Sequence, residues 1–197
     1  MPTALFTSIV NDVYEITNRS DLVAETSLAV RQATLKLHQR DFYAKDLVES
    51  RVQFVTAAYY QSLAYASLFP SFRKLSYLRK YENGAPTDFL ELITPTNTLD
   101  SYGISKEDIC YLAGSVIQIR SSTSITDFLI GFFQNPTTNP ELYDSWVGAL
   151  YSNAIVDESA ARIFKTIGYD EQASAYKIFA KESADIVHNT NIVAEAH

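Results

Sequence analysis

The sequence predicts a mainly α fold: an α-helical bundle, made of an N-terminal helix pair and two C-terminal helices, that carries a small β-module of hairpin arms. Apolar residues recur every three or four positions near both ends of the 197-residue chain, which is the period of an amphipathic helix. Between these ends, β-branched and apolar runs at 109–120 and 128–133 are typical of strands. We therefore expect one structural domain with a helix pair at 1–40, a β-rich insertion with loops at 41–134, and C-terminal helices with a tail at 135–197.

Two apolar faces indicate the N-terminal helix pair. The first face consists of Leu5, Ile9, Val13 and Ile16. Residues 17–21 end the first helix, and Asn18 with Asp21 resembles a capping box, which predicts the start of a second helix. Apolar and small residues at helical spacing from 22 to 37 mark that second helix. Because the linker is short, we expect the two helices to pack antiparallel.

The middle of the chain predicts strands joined by turns. Alternation of side-chain types at 51–55 and 75–81 is typical of half-buried strands. The cluster 82–86 predicts a turn, and 89–93 then supplies the partner strand. Residues 57–68 are mostly small or aromatic and carry no charge, so we predict that most of this stretch is loop.

The hairpin arms and the last helices come next. The polar stretch 121–124 separates the two arms. Asn139 as N-cap with Pro140 at the first helical position is a strong helix start. An apolar stripe then predicts one long helix over 141–167, which Gly168 is expected to end. A final helix follows and is expected to fray towards the end of the chain.

The charge and the cysteine content exclude several classes of function. With 16 Lys and Arg against 23 Asp and Glu, the net charge is −7, and such a chain is a poor sequence-independent DNA binder because that affinity comes mostly from protein cations. The single cysteine, Cys110, excludes an internal disulfide and a cysteine-based zinc site. No signal-peptide pattern opens the chain, and no apolar run approaches the roughly 20 residues of a membrane span. We therefore expect a cytosol-like compartment and no membrane partner.

No motif for catalysis or for a cofactor is found. The chain has no Walker A loop and no G-x-G-x-x-G, G-x-S-x-G or H-E-x-x-H pattern. His38 lies at the end of the second helix, where a cation suits the helix dipole, and it forms no ligand pair with His188 or His197. Asp157 adjoins the apolar stripe, where a buried ion pair with Arg162 would be structural. We predict no catalytic residue, no cofactor and no metal site, and hence a protein that is not an enzyme.

Five segments carry a resemblance to a known family. They are 12–26, 93–95, 99–103, 116–122 and 161–176. In this order they resemble the head-to-tail adaptor proteins of tailed bacteriophages, the head-completion or connector proteins between portal and tail. None of the segments is a chemical signature; the resemblance lies in their order over nearly the whole chain. Ser20 departs from the pattern, which has proline at this helix start.

The resemblance implies a virion structural protein without catalysis or cofactor. Such adaptors form a homo-oligomeric ring below the portal protein, typically a dodecamer, that extends the DNA channel and gives tail, nozzle or tail-fibre proteins a docking surface. Genomic DNA would pass through the lumen without specific binding. The chain would be located in the head-to-tail neck of the virion after assembly in the host cytoplasm. The C-terminal end of these proteins often reaches into grooves of the portal ring, which implies an interface at Lys181, His188, Ile192 and Val193.

The strands add a second candidate interface. Edge strands at 75–81 or 115–133 could pair between subunits, since an unpaired edge is a template for strand addition. In such a ring, contacts to acidic neighbours are expected from Arg73, Lys74, Arg79 and Lys80. Solvated strand charges are the alternative interpretation of these four residues.

Three other functions stay open at this point. A tail-terminator or tail-tube component would also form a ring around DNA, and its location in the particle would separate it from an adaptor. A non-viral helical scaffold that binds a partner peptide would be a stable monomer with one exposed groove. An enzyme would need a pocket with converging polar groups, which the sequence does not indicate.

Overall fold

The structure, a computed structural model, describes residues 1–99 and 103–191. It divides into two compact units: a helical unit, formed by Met1–Asp46 and Asn135–His197, and a β-unit, formed by Leu47–Gln134. The described part contains six α-helices: α1 (Ala4–Thr17), α2 (Val23–His38), α3 (Tyr65–Leu68), α4 (Trp146–Leu150), α5 (Ser152–Thr166) and α6 (Asp170–Asn191). It also contains five strands: β1 (Leu47–Leu63), β2 (Phe72–Glu82), β3 (Ala85–Leu92), β4 (Ile109–Ala113) and β5 (Val116–Gln134).

The prediction of a mainly α fold, with a small β-module on a helical bundle, is wrong. The chain is about 45% helical and 35% strand, and four of its strands close into a barrel to which a further strand is added. The strand content was underestimated because β1 alternates poorly between apolar and polar residues. The second half of β1, which was predicted as loop, is mostly exposed on both faces, as Tyr59 and Tyr60 show, so its sequence lacks the period-two pattern of a half-buried strand.

In the helical unit, α5 lies against α6, α2 and α1. Its fully buried Ile155 and Ile163 are eight residues apart and therefore lie on one face of the helix. Both meet Val13 of α1 and Val30 of α2 in a single apolar core. Burying an aliphatic side chain of this size stabilises a fold by about 1.5–3 kcal/mol, so this core holds the two ends of the chain together.

The two predicted N-terminal helices are confirmed as α1 and α2, but the capping box between them is wrong. Asn18 ends α1 with a φ of +50°, a left-handed conformation that asparagine tolerates better than most residues. Asp21 accepts hydrogen bonds from Arg19, and no side chain caps the start of α2. A short polar stretch between two helices can therefore cap the end of the first helix and not the start of the second.

The single long helix predicted over 141–167 is also wrong. Asn139 does cap a helical start, but only the short 3-10 turn Pro140–Leu142 follows. The chain then forms α4 and α5 as separate helices, and between them Tyr151 has an extended φ of −139°. Helices α4 and α5 both bury apolar residues at helical spacing, so the apolar stripe in the sequence continues across the break. Periodicity alone could therefore not locate the break.

The β-unit is organised around β5. This 19-residue strand pairs antiparallel with β1 along its length, with β4 through its first half and with β2 through its second half. β2 pairs with β3 in a hairpin, and β3 pairs parallel with β4, which closes the circuit of four strands. The interior is filled by apolar side chains: Leu75, Leu78, Leu90, Cys110, Ile117, Ile119, Phe128 and Ile130.

Two predictions for the β-unit need correction and one is confirmed. The loop predicted over 57–68 is strand β1 as far as Leu63 and then the short helix α3. The first arm is the hairpin that β4 forms with the start of β5, but the predicted separation from the second arm is wrong, because 121–124 stays extended within β5. The predicted strand 75–81 with a partner after the turn is confirmed as the β2–β3 hairpin.

Two earlier assignments fall outside the described residues. The first is residues 100–102 of the segment 99–103, which carries part of the family resemblance. The second is the pair of predicted interface residues Ile192 and Val193. Within the described ranges, the structure has no helix with the length and apolarity that crossing a membrane requires.

Candidate functional site

A buried chain of hydrogen bonds joins Asp46, His38 and Ser145 in the helical unit. His38 Nδ1 lies 2.8 Å from Asp46 Oδ1, and His38 Nε2 lies 2.9 Å from Ser145 Oγ. Trp146 Nε1–H donates to the same Asp46 oxygen at 2.7 Å. The order of groups, carboxylate to imidazole to hydroxyl, is that of a Ser-His-Asp hydrolase triad.

Because its side chains are buried, this series of hydrogen bonds is a structural network and not a catalytic triad. A nucleophilic hydroxyl must reach a substrate, but Ser145 is only 3% exposed and His38 only 1%. Ser145 Oγ also accepts the backbone N–H of Gly148 at 3.0 Å, so this side chain caps α4. A carboxylate only accepts, so His38 Nδ1–H donates to Asp46, and His38 Nε2 shares a hydrogen bond with the Ser145 hydroxyl. The network therefore fixes the start of α4 against the end of α2, which the sequence did not predict.

Lys80, one of the predicted interface residues, is a buried cation of the β-unit. It is 4% exposed, and its Nζ lies 2.6 Å from Asp108 Oδ1 and donates to Ser122 Oγ at 3.1 Å. Asp108 also accepts the Ser122 backbone N–H at 2.8 Å and the Ser122 hydroxyl at 2.6 Å. Partial burial raises the pKa of Asp108, but the hydrogen bonds from Lys80 and Ser122 outweigh it and hold that pKa below its ordinary value. This arrangement joins β2, the start of β4 and β5.

The other three predicted cations of β2 have different surroundings. Arg79 donates to the backbone oxygen of Thr87 at 3.0 Å and places its guanidinium 4.5 Å from the centre of the Phe89 ring. Both contacts are within the β2–β3 hairpin. Arg73 is half-buried and Lys74 is exposed at the start of β2. The four residues therefore do not form one cationic face.

The helical unit contains a basic cleft between α2 and α6, with α5 at its base. We call it the basic cleft; it has two adjoining parts of about 400 and 490 Å³ that share Lys36, Glu158 and Lys177. Leu37 and Ala180 contribute apolar surface to the second part. Six of the chain's 16 lysines and arginines line the cleft: Lys36, Arg40, Arg162, Lys165, Lys177 and Lys181. The concentration of cations is notable because the whole chain is acidic.

Ion pairs engage only half of these cations. Lys36 Nζ lies 2.7 Å from Glu158 Oε2, Arg162 lies 3.0 Å from Glu158 Oε1, and Arg40 pairs with Asp185. Three cations of the cleft make no salt bridge with any residue in 1–99 or 103–191: Lys165, Lys177 and Lys181. All three are exposed, so the cleft keeps an excess of positive charge that faces solvent.

Helix α6 also exposes three large apolar side chains to solvent. Its small buried residues, such as Ala180 and Ala184, pack inwards. On other faces of the helix, Ile178, Phe179 and Ile186 are 59%, 49% and 58% exposed. Exposed apolar side chains grouped on one element are typical of a surface that contacts a partner. We call these three residues the α6 outer patch.

The C-terminal residues predicted at an interface are placed on α6 as far as the description extends. Lys181 lines the basic cleft. His188 is half-buried, and its Nδ1 lies 3.3 Å from Asp41 Oδ2. The structure therefore brings Lys181 and His188 together on the helical unit, whereas Arg73, Lys74, Arg79 and Lys80 belong to the β-unit.

Asp157 does not form the predicted ion pair. Arg162 pairs with Glu158, one position further along α5, so the proposed partner was wrong. Asp157 instead accepts a hydrogen bond from the Ser183 hydroxyl at 3.1 Å. Burial raises the pKa of Asp157, and the bond from Ser183 lowers it by a smaller amount. No group of three or more His, Cys, Asp or Glu side chains in the described ranges is placed to hold a metal ion.

Sequence reasoning missed the basic cleft, although part of its signal was present. Lys36 and Arg40 are four residues apart, as are Lys177 and Lys181, so each pair lies on one helical face. What the sequence does not contain is the packing that brings α2 and α6 to the same side of α5. A comparison of the chain with protein-family models and with curated proteins gives no match.

Proposed function

We propose that the chain is a virion structural protein of a tailed bacteriophage, a portal-to-tail adaptor that forms a ring below the portal, extends the DNA channel and docks tail or nozzle proteins. The observation that carries this proposal is the α6 outer patch. Ile178, Phe179 and Ile186 leave apolar surface on the last described helix, and exposed apolar side chains grouped on one helix are suited to contact with a protein partner.

Two further observations support a docking role over a catalytic one. The buried Asp46–His38–Ser145 chain, which has the connectivity of a hydrolase, is closed to substrate. The basic cleft holds lysines and arginines with one apolar side, a composition suited to a protein surface of opposite charge. The ordered resemblance of the five segments to phage adaptors then selects the portal as the partner.

Binding to isolated portal rings tests the proposal. Portal rings from the phage that encodes the chain are mixed with the purified protein, and binding is measured by co-sedimentation. We expect the chain to bind the rings, and replacement of Ile178 and Ile186 by serine to weaken binding about tenfold or more, because buried apolar anchors dominate interface energies.

A matched variant controls for the loss of apolar surface. Leu28 and Leu142 are also exposed on the helical unit but lie outside α6, so serine at both positions should leave binding unchanged. If the wild-type chain binds tail-tube proteins but not portal rings, the chain would be a tail component and not an adaptor. Failure to bind either would favour a partner-binding scaffold outside the virion.

A further inference from the structure

The helical unit carries a cluster of cations at the basic cleft and a separate pair of carboxylates on α1. Six lysines and arginines line the basic cleft, whereas α1 contains two carboxylates, Asp12 and Glu15, and no basic residue. Both carboxylates are exposed, and neither forms a salt bridge with a residue of the described chain. The same unit therefore displays one surface with an excess of positive charge and another with an excess of negative charge.

The exposed face of α1 is narrow enough for another protein surface to approach the helix closely. Ser8, Asn11, Asp12 and Glu15 are spaced by three, one and three residues, so they form one stripe along the helix. All four are exposed, and three of them are short. The backbone of α1 can therefore come close to another protein surface, and the carboxylates of Asp12 and Glu15 can contact cations on that surface.

The basic cleft has a complementary character. Lys165 and Lys177 form no salt bridge with a described residue, Lys181 has only a longer-range attraction to Asp185, and Leu37 with Ala184 lines the cleft beside them. A partner that brings carboxylates on a narrow polar helix would neutralise these lysines and cover the cleft. Opposite charges placed across an interface fix its register and speed association.

We propose that the basic cleft of one chain receives the carboxylate face of α1 from a second copy of the chain. The contact joins two different surfaces, so each copy keeps one free cleft and one free α1 face. Repetition of the contact closes a ring or extends a filament, depending on the rotation between copies. This inference rests on the proposed function in one respect, that copies of the chain assemble with each other.

Two features favour a second copy over a nucleic acid in the cleft. The net charge of −7 repels a polyanion that must approach the whole molecule, whereas a second copy needs only local complementarity. Leu37, Ala180 and Ala184, although almost fully buried, also line the second part of the cleft without a polar side chain that could hold a phosphate. Binding of a nucleic acid is nevertheless one result that the experiment below would register.

Charge reversal on each surface tests the contact. The cleft variant carries Lys177→Glu and Lys181→Glu, and the helix variant carries Asp12→Lys and Glu15→Lys. Sedimentation velocity at low ionic strength should show wild-type assemblies that dissociate as salt is added, because exposed charges are screened. Each variant alone should self-associate about tenfold more weakly or not at all.

A mixture of the two variants gives the decisive result. The acidic cleft of the first variant faces the basic α1 of the second, and the basic cleft of the second faces the acidic α1 of the first. We therefore expect the equimolar mixture to recover assemblies of wild-type size. Controls with the same change of charge are Arg31→Glu with Lys106→Glu, and Asp88→Lys with Glu107→Lys, which should assemble like wild type.

A disulfide provides the geometric test. Glu15→Cys and Lys177→Cys in the same chain should form crosslinks between copies, which appear as a ladder of multiples on a non-reducing gel. The native Cys110 does not interfere, since it is fully buried in the β-unit and burial raises its pKa to about 12. Cysteines at Arg31 and Glu107 serve as the uncrosslinked control.

Several outcomes would overturn the contact. They are a wild-type chain that stays monomeric up to about 1 mM, reversal variants that assemble normally, a mixture that does not recover, or a cleft that binds a single-stranded oligonucleotide instead. Incorporation into phage particles is a separate readout. If the chain is incorporated but the variants assemble normally, only this contact fails; if the charge swap works and the chain is absent from particles, only the adaptor function fails.

Discussion

At the scale of single residues, Gly131 and Tyr77 face each other across β5 and β2. A Cβ atom at residue 131 would lie 2.4 Å from the Tyr77 ring, so only glycine lets the ring lie over this strand. The Tyr77 hydroxyl donates to Glu49 of β1. Burial first, and this hydrogen bond second, raise the pKa of Tyr77 to about 12. One glycine therefore allows a side chain of β2 to contact β1 across β5.

Replacement of Gly131 by alanine should destabilise the fold by about 1–3 kcal/mol, because the added methyl group must displace the Tyr77 ring. The free energy of unfolding from urea denaturation measures this cost. In a Tyr77→Ala background the same replacement should cost far less, since the obstructing ring is gone. An equal cost in both backgrounds would show that the ring contact is not the cause.

Replacement of Ser145 by alanine should lower the free energy of unfolding by about 2 kcal/mol. The change removes the cap of α4 and leaves His38 Nε2 buried without its hydroxyl partner. Urea denaturation measures the loss, and Ser152→Ala, at the uncapped start of α5, is the control with an expected change below about 0.5 kcal/mol. Equal stability of Ser145→Ala and wild type would contradict the structural role of the network.

Asp108 should make the stability of the fold depend on pH. Its pKa is lower in the folded chain than the ordinary value of 3.8, so its charged form stabilises the fold above about pH 4, and this contribution is lost as the pH falls through the folded pKa. Asp108→Asn should therefore cost about 1 kcal/mol at pH 7 and almost nothing near pH 2. Unfolding curves at both pH values measure this. Asp88→Asn, at an exposed position, should show no such change, and a pH-independent cost at Asp108 would refute the assignment.

At the scale of elements, the sequence predicted helices well where one buried face runs without interruption. Val13 and Val30 lie on such faces, and both α1 and α2 were recognised. The break at Tyr151 between α4 and α5 was missed because apolar residues on both sides stay in helical register while the backbone does not. The second half of strand β1 was missed because residues such as Tyr59 and Tyr60 are exposed to solvent. Tertiary pairing with β5, and not local alternation, determines that segment.

The β2–β3 hairpin is an element that its turn residues specify. Glu82 pairs with Ala85, which leaves a two-residue loop in which Asn83 and Gly84 have φ values of +52° and +81°. Positive φ at both positions is the signature of a type I′ turn, and Asn-Gly is its preferred sequence. The sequence therefore contained enough information to place this turn.

Replacement of Gly84 by alanine should destabilise the hairpin by about 1 kcal/mol. A Cβ atom there would meet nothing within 4 Å, so the cost is purely that of the left-handed backbone. Asn83→Gly is the control and should change stability by only a few tenths of a kcal/mol, because glycine also accepts positive φ. The free energy of unfolding measures both. A Gly84→Ala variant as stable as wild type would exclude the type I′ assignment.

At the scale of the whole molecule, the sequence alone misjudged the fold class and missed the main candidate site for different reasons. The fold class was wrong because closure of β2, β3, β4 and β5 depends on pairings between distant segments, such as Leu78 with Ile130. The basic cleft was missed because Lys36, Arg162 and Lys177 come from three helices that only packing brings together. The predicted interface residue Lys181 does lie at this cleft, whereas Lys80 is buried in the β-unit.

The measurement that tests the proposed function most directly is quantitative mass spectrometry of purified tailed-phage particles from the source of the chain. The chain is counted against the portal protein of the same particles. The adaptor function predicts roughly one chain per portal subunit, because the ring would match the symmetry of the portal it extends. Absence of the chain from purified particles would contradict the proposal and would favour a partner-binding protein outside the virion.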